Sequence, residues 1–160
     1  MLSLAFLTAL TIGLPILQAF AETHTVHFDN RCGFGTPTLV NAETLQILST
    51  GEDFTINGPL QIAVAYLQTG DCGLLGEGCT LIEITFANPT SPGLGSSADI
   101  NLIPPQAFSV ASGFEFINAE CEGRGLDCTS STCAAAVRSP EAPVVVCLAA
   151  NASIAISFCD

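Results

Sequence analysis

Hydrophobic and polar positions alternate along several short segments of the chain. In residues 81–86, Ile82, Ile84 and Phe86 alternate with Glu83 and Thr85. A period of two is typical of a β-strand that has one face on the core. We therefore expect the two isoleucines and the phenylalanine to point inward, and Leu81, Glu83 and Thr85 outward. The same period recurs in three other segments, 24–30, 114–116 and 154–158.

Turn residues separate these segments from further short apolar runs. Apolar runs lie at 61–67, 100–103 and 144–147, and clusters such as Asn57-Gly58-Pro59 and Gly76-Glu77-Gly78 lie between runs. Many short strands between turns are typical of a sandwich or barrel. The pattern predicts an all-β domain, a β-sandwich or flattened barrel, over residues 22–160. Helix is expected at most for a turn or two, at Cys133 to Val137.

The first 21 residues have a different pattern. Residues 1–21 contain no charged side chain, are mostly apolar, and end in Ala19-Phe20-Ala21. An apolar segment that ends in A-x-A is typical of a secretory signal peptide. Pro15 and the small residues at the end disfavour a transmembrane anchor. We expect residues 1–21 to be removed and residues 22–160 to be secreted, with no membrane attachment afterwards.

Charge excludes further classes of protein. The sequence has no lysine, three arginines and 15 acidic residues, which gives a formal net charge of -12. Phosphate binding needs a basic surface, so nucleic-acid binding is excluded, and adhesion to anionic lipid is disfavoured. The acidity fits a soluble secreted domain, which we expect to be a monomer.

The eight cysteines all follow residue 21. An even number in a secreted chain predicts four disulfides, and no close C-x-x-C pair or Cys/His cluster indicates a zinc site. Cys72 and Cys79 are close in sequence, as are Cys128 and Cys133, but eight cysteines allow 105 pairings. Spacing alone therefore leaves the connectivity open.

Six blocks of residues, in order, resemble the thaumatin-like protein family. The most specific is Thr69-Gly70-Asp71-Cys72-Gly73, which is similar to the family's T-G-D-C-G. In block 48–57, Phe54 stands where the family has Trp. Only 13 residues separate Cys133 from Cys147, so the chain resembles the short members that lack the second, loop-rich domain. The other blocks are 25–32, 48–57, 80–84, 98–110 and 154–159.

The resemblance implies a disulfide pattern. It pairs Cys32 with Cys159, Cys72 with Cys79, and Cys121 with Cys147. The family partners of the remaining two cysteines fall in the missing region, so Cys128 and Cys133 are expected to pair with each other.

The resemblance also implies a role in defence, with binding or weak hydrolysis of β-1,3-glucan in an acidic cleft. Glu83 matches the family's proposed acid and Asp99 its partner, and glycoside hydrolysis needs two carboxyl groups. The family's second Asp and its cleft Arg have no equivalent here. Glu83 and Asp99 could equally be ordinary charged side chains on the exposed face of a sheet, with no role in a site.

Three weaker candidates remain. Asn151-Ala152-Ser153 is a sequon for N-glycosylation. His24 and His27 are expected on opposite strand faces, so they would not share a metal. Glu115, Glu120, Glu122 and Asp127 predict a solvated acidic loop without calcium-binding spacing. We expect no metal and no cofactor.

The sequence therefore predicts a secreted protein that acts without catalysis at a cell wall or host surface. The role is either binding of β-glucan or another wall polysaccharide, or a defence or effector role in which the protein binds another protein. The alternative is an endo-β-1,3-glucanase with a reduced cleft that uses Glu83 and Asp99.

Overall fold

The computed structural model describes residues 22–118 and 120–160, so the predicted signal peptide lies outside the described residues. The described part contains eleven strands, and no helix occurs in it. The fold is all-β, as predicted. The strands are β1 (Thr23–Asn30), β2 (Thr36–Asn41), β3 (Gln46–Ser49), β4 (Phe54–Asn57), β5 (Leu60–Gln68), β6 (Leu81–Phe86), β7 (Ser96–Asn101), β8 (Ser112–Phe116), β9 (Gly125–Cys128), β10 (Val145–Cys147) and β11 (Ile154–Phe158).

These strands form two sheets. The five-stranded sheet has the order β4-β1-β11-β8-β9, and the six-stranded sheet has the order β10-β7-β6-β5-β2-β3. In the first sheet β1 and β11 are parallel neighbours, which brings the two ends of the described chain together. In the second sheet β5, β6 and β7 are consecutive antiparallel strands.

The core lies between the sheets and is built from the inward positions of the alternating segments. Ile82, Ile84 and Phe86 of β6 are buried there, as predicted, with Ile154 and Ile156 of β11. His24 is also fully buried, and its ring stacks on Phe86 at a centroid distance of 4.8 Å.

A second apolar cluster lies on the outer face of the six-stranded sheet, beneath the loop at 69–80. Leu81, which the alternation places outward, is 1% exposed there and packs with Val40, Val64 and Tyr66. The Tyr66 hydroxyl donates to the carbonyl oxygen of Leu74 at 2.9 Å. The outward direction predicted for Leu81 holds, but the loop covers it.

Glycine permits this close cover. Gly76 has φ of +75°, and a Cβ at this position would lie 3.1 Å from Cδ1 of Tyr66 and would also meet the side chain of Leu81. A larger residue would therefore lift the loop from the sheet. The T-G-D-C-G block thus forms part of a structural cover.

The structure contains the same four disulfides that the resemblance implies. Cys72–Cys79 closes the covering loop, and Cys32–Cys159 joins the regions just after β1 and β11. The other two are Cys121–Cys147 and Cys128–Cys133.

The short helix considered at Cys133 to Val137 does not form. The segment turns, and Val137 pairs with Asn101 in an isolated parallel bridge. The amide of Val137 donates to the carbonyl oxygen of Ile100, and its carbonyl oxygen accepts from the amide of Leu102. These bonds to the edge of β7 replace those that a helix would make.

Candidate functional site

Glu83 and Asp99, the two carboxylates predicted from the sequence, lie side by side on the outer face of the six-stranded sheet. They are directly opposite each other in the β6–β7 register, and Thr85 is opposite Ser97. These four side chains line a shallow groove of about 180 Å³. Like charges at directly opposed positions repel each other, so the sheet gains no stability from this pair.

A bulge in β5 forms the rim of this groove. The pairing of β5 with β6 shifts register between Leu60 and Ala63, and Ile62 is 46% exposed at the groove. The Thr85 hydroxyl donates to the carbonyl oxygen of Gln61 at 2.5 Å. Bulges redirect side chains, and this one directs an isoleucine to the edge of an acidic groove.

Asp99 has an unusual environment for a carboxylate. Its exposed fraction is 7%, and its Oδ1 is buried with no hydrogen-bond partner among the described residues. Burial, and secondarily the negative charge of Glu83, raise the pKa of Asp99 to about 6. A carboxyl group in such a place binds a proton more readily than an ordinary aspartate does.

Glu83 is less buried and is held by a neighbour on the next strand. The Asn101 side-chain amide donates to Glu83 Oε1 at 2.9 Å. Asn101 is itself fixed, because its Oδ1 accepts from the amide of Ile103 at 2.7 Å. The resemblance assigns the acid position to Glu83, whereas the structure places the raised pKa on Asp99.

The basic side chains of the described chain lie in other contacts. Arg31 pairs with Asp29 and Asp160, at N–O distances of 2.5 and 2.9 Å. Arg124 donates to the carbonyl oxygen of Val146, and Arg138 to that of Ser131. None of the three lines the Glu83–Asp99 groove, so the described residues provide no counter-charge for this pair.

A wider groove of about 460 Å³ lies on the outer face of the five-stranded sheet. Gly113, Ala155 and Ser157 are among its lining residues, and Glu115 and Asp127, predicted as part of an acidic loop, line it as well. The Arg31 pair with Asp29 and Asp160 lines this groove too, so part of its acidity is neutralised.

Comparison with solved structures gives a match to the fold. The crystal structure of the protein elicitor MoHrip2 from Magnaporthe oryzae matches with a TM-score of 0.53 and 13% sequence identity, covering 88% of this chain and 100% of that chain. At this identity the likeness establishes the fold alone. No family model and no curated protein matches the sequence.

The two histidines are in different settings. His24 is buried, with Nε2 at 2.9 Å from the Glu22 carboxylate and Nδ1 at 2.7 Å from the carbonyl oxygen of Ala152. His27 contacts Asp53. In the described residues there is no group of three His, Cys, Asp or Glu side chains that could hold a metal ion.

Asn151, the predicted glycosylation site, lies in the turn before β11. It has φ of +55°, and its Oδ1 accepts from the amide of Thr23 at 3.0 Å. The backbone N–H of Asn151 donates to Asn88 Oδ1 at 2.5 Å. Glycosylation at this position stays a prediction.

Within residues 22–118 and 120–160, no helix is long and apolar enough to cross a membrane.

Sequence reasoning found the two carboxylates but missed the residues that shape their groove. Asn101 lies two residues after Asp99 in the 98–110 block, and a spacing of two puts both side chains on one face of a strand, which was a usable signal. No such signal was present for Ile62, because the bulge in β5 falls inside an apolar run that looks like a continuous strand.

Proposed function

We propose that this chain is an extracellular protein of the defence or effector class, which acts by binding a partner at a cell wall or host surface and not by catalysis. Four disulfides support an oxidising, extracellular setting. The shared fold with a protein elicitor is in keeping with this class. The observation that carries the proposal is the groove at Glu83 and Asp99, where a buried carboxyl has no partner among the described residues.

The shape of the groove supports binding over hydrolysis. Its lining residues come from three neighbouring strands of one sheet, β5, β6 and β7. Both carboxyls therefore approach a ligand from the same side, and water can reach the opposite side. A hydrolase gains much of its rate from charges held in a site that excludes water.

β-Glucan is the second candidate ligand, and in that case the protein could also hydrolyse it as a glucanase. The observation in its favour is that Asp99, with a pKa of about 6, lies beside a second carboxylate. Glycosidases use one protonated and one ionised carboxyl group. In that case Asp99 would be the acid and Glu83 the nucleophile or base, the reverse of the roles that the resemblance implies.

One set of assays separates these functions. The purified protein is incubated with insoluble β-1,3-glucan and, separately, with cell walls and host cells, and both bound protein and released reducing sugar are measured. We expect binding to the wall or cell surface and no sugar release. Sugar release that is lost in both Glu83→Gln and Asp99→Asn would establish the glucanase instead, and the absence of binding to any of these surfaces would contradict the proposed function.

A further inference from the structure

The Asp99 carboxyl lacks a counter-charge in the part of the chain that the structure describes. It is 7% exposed, and its Oδ1 has no hydrogen-bond partner there. Burying a carboxylate without a compensating donor is costly, and the adjacent Glu83 adds like-charge repulsion. A cationic donor from another molecule that enters the groove would offset the cost of the buried charge and relieve the repulsion.

The lining of the groove favours one kind of cation. Its volume of about 180 Å³ is below the roughly 300 Å³ at which most small-molecule pockets begin. Ile62 offers aliphatic surface at the rim, and the hydroxyl oxygens of Thr85 and Ser97 lie among the carboxyls as further acceptors. A compact ammonium on an aliphatic stem matches this lining better than a planar guanidinium, which favours flat, bidentate partners.

We propose that this groove receives a lysine side chain of a partner protein, with the ammonium between the Asp99 and Glu83 carboxyls and the methylene stem against Ile62. The inference rests on the proposed function, because it names the chemistry of the partner that the same groove binds. It also excludes a second copy of this chain as the donor, since the sequence contains no lysine.

The donors and acceptors of this contact match in number. A lysine ammonium has three N–H donors and no acceptor. Glu83 Oε1 already accepts from Asn101, which leaves Oε2 for the ligand. Rotation about the terminal bond of Asp99 exchanges its two oxygens, so either can face the groove. One oxygen from each carboxyl and one hydroxyl oxygen satisfy the three donors.

The contact would also depend on pH. Among the residues that the structure describes, Glu83 is the only other titratable side chain that lines the groove, and the remaining lining residues are uncharged. Lysine pairs with the ionised form of Asp99, whose pKa is about 6. Binding should therefore strengthen as the pH rises through 6. A neutral sugar that accepts a hydrogen bond from protonated Asp99 would show the opposite trend.

The test is an NMR titration of the folded protein with an acetylated, amidated pentapeptide that has one lysine between glycines. At pH 7 we expect shifts confined to the amides of residues 62, 83–85 and 97–99. Matched peptides with norleucine or Nε-acetyl-lysine should give none. Affinity should fall roughly tenfold between pH 7 and pH 5, as the ionised fraction of a group with a pKa of about 6 requires.

Two variants of equal charge change provide the control. Asp99→Asn should weaken lysine-peptide binding by about ten- to a hundredfold, the effect of losing a hydrogen bond to a charged group. Asp127→Asn removes one exposed charge from the wider groove of the other sheet and should leave binding unchanged. Should Asp99→Asn fail to fold, Glu83→Gln tests the same contact.

Several results would overturn the inference. One is equal binding by both variants, because it would mean that general acidity attracts the peptide. Others are an arginine peptide that binds as well as lysine, or tighter binding of a glucosamine or β-1,3-glucan oligomer. The proposed function is tested separately with the wild-type protein. If wild type and Asp99→Asn bind host surfaces equally, the function stands and the lysine contact falls, whereas absence of surface binding by the wild type contradicts the function itself.

Discussion

The outer faces of the two sheets hold their charges in opposite ways. On the five-stranded sheet, Arg31 lies between Asp29 and Asp160, and the side chains are largely exposed. On the six-stranded sheet, Asp99 is buried beside Glu83, and no cation of the described chain faces them. Exposed paired charges contribute little to stability, whereas a buried unpaired carboxyl lowers it. A cationic ligand would therefore stabilise the folded protein more by binding in the smaller groove than in the larger one, where the acidic side chains already have Arg31 as a partner.

The sheets also differ in how the chain closes them. The centre of the five-stranded sheet joins β1 to β11 from opposite ends of the described chain, and Cys32–Cys159 spans a separation of 127 residues. The six-stranded sheet consists largely of consecutive antiparallel strands, and Cys72–Cys79 spans only 7. A disulfide that closes a longer loop removes more chain entropy from the unfolded state.

The largest effect should therefore come from the long-range disulfide. Replacing Cys32 and Cys159 by alanine should lower the free energy of unfolding by about 5 kcal/mol, against roughly 2.5 kcal/mol for Cys72 and Cys79. Denaturant unfolding of the two double variants measures both values. Equal losses would mean that loop length does not set the contribution of these two disulfides, and would contradict the chain-entropy account of the difference.

The second effect concerns Asp99. Its pKa is raised from 3.8 to about 6 in the folded protein. Between these two pH values Asp99 is ionised in the unfolded chain but still protonated in the folded protein, and this difference favours the unfolded chain as the pH rises. Stability should fall as the pH rises from about 4 to 6 and then level off. Asp99→Asn should therefore raise the free energy of unfolding by about 1–2 kcal/mol at pH 8, after allowance for solvent screening, and change it little at pH 3.5.

Asp127→Asn is the matched control for this stability effect. The residue is exposed on the five-stranded sheet, and its loss should change the free energy of unfolding by less than about 0.5 kcal/mol at either pH. A gain at pH 8 as large as that of Asp99→Asn would mean that relief of overall negative charge, and not burial, stabilises the variants.

The smallest effect should be at Arg31. Arg31→Ala breaks an exposed ion-pair network with Asp29 and Asp160, and exposed pairs are weakened by solvent and salt. Thermal unfolding at low and high salt should show a slight decrease in stability that vanishes in high salt. A large, salt-independent loss would show that the charges of the wider groove are structurally as important as those of the smaller one.

Alternation of apolar and polar residues revealed those strands that are buried on one face only. β6 and β11 were predicted in this way. β2 was missed because Leu39 packs between the sheets while its neighbour Val40 packs under the covering loop, so both faces are buried and the alternation disappears. β9 was missed because Gly125 looks like a turn residue, although here it lets the strand lie close against the backbone of β8.

The candidate site was predictable only in part, for a related reason. Glu83 and Asp99 are carboxylates within predicted strands, and the resemblance to a family assigned both of them to one cleft. The burial of Asp99 depends on the neighbouring strands, and the position of Ile62 depends on a bulge in the register of β5 and β6. Register is a property of the paired strands, and the sequence of either strand alone does not display it.

Asp99 is buried without a counter-charge among the residues that the structure describes, and the proposed lysine would supply one. The most direct test is an NMR titration of the Asp99 carboxyl carbon in the ligand-free protein. We predict a midpoint at a pH of about 6. A midpoint near or below the ordinary aspartate value of roughly 4 would mean that the carboxyl is solvated or already paired, and would contradict the account.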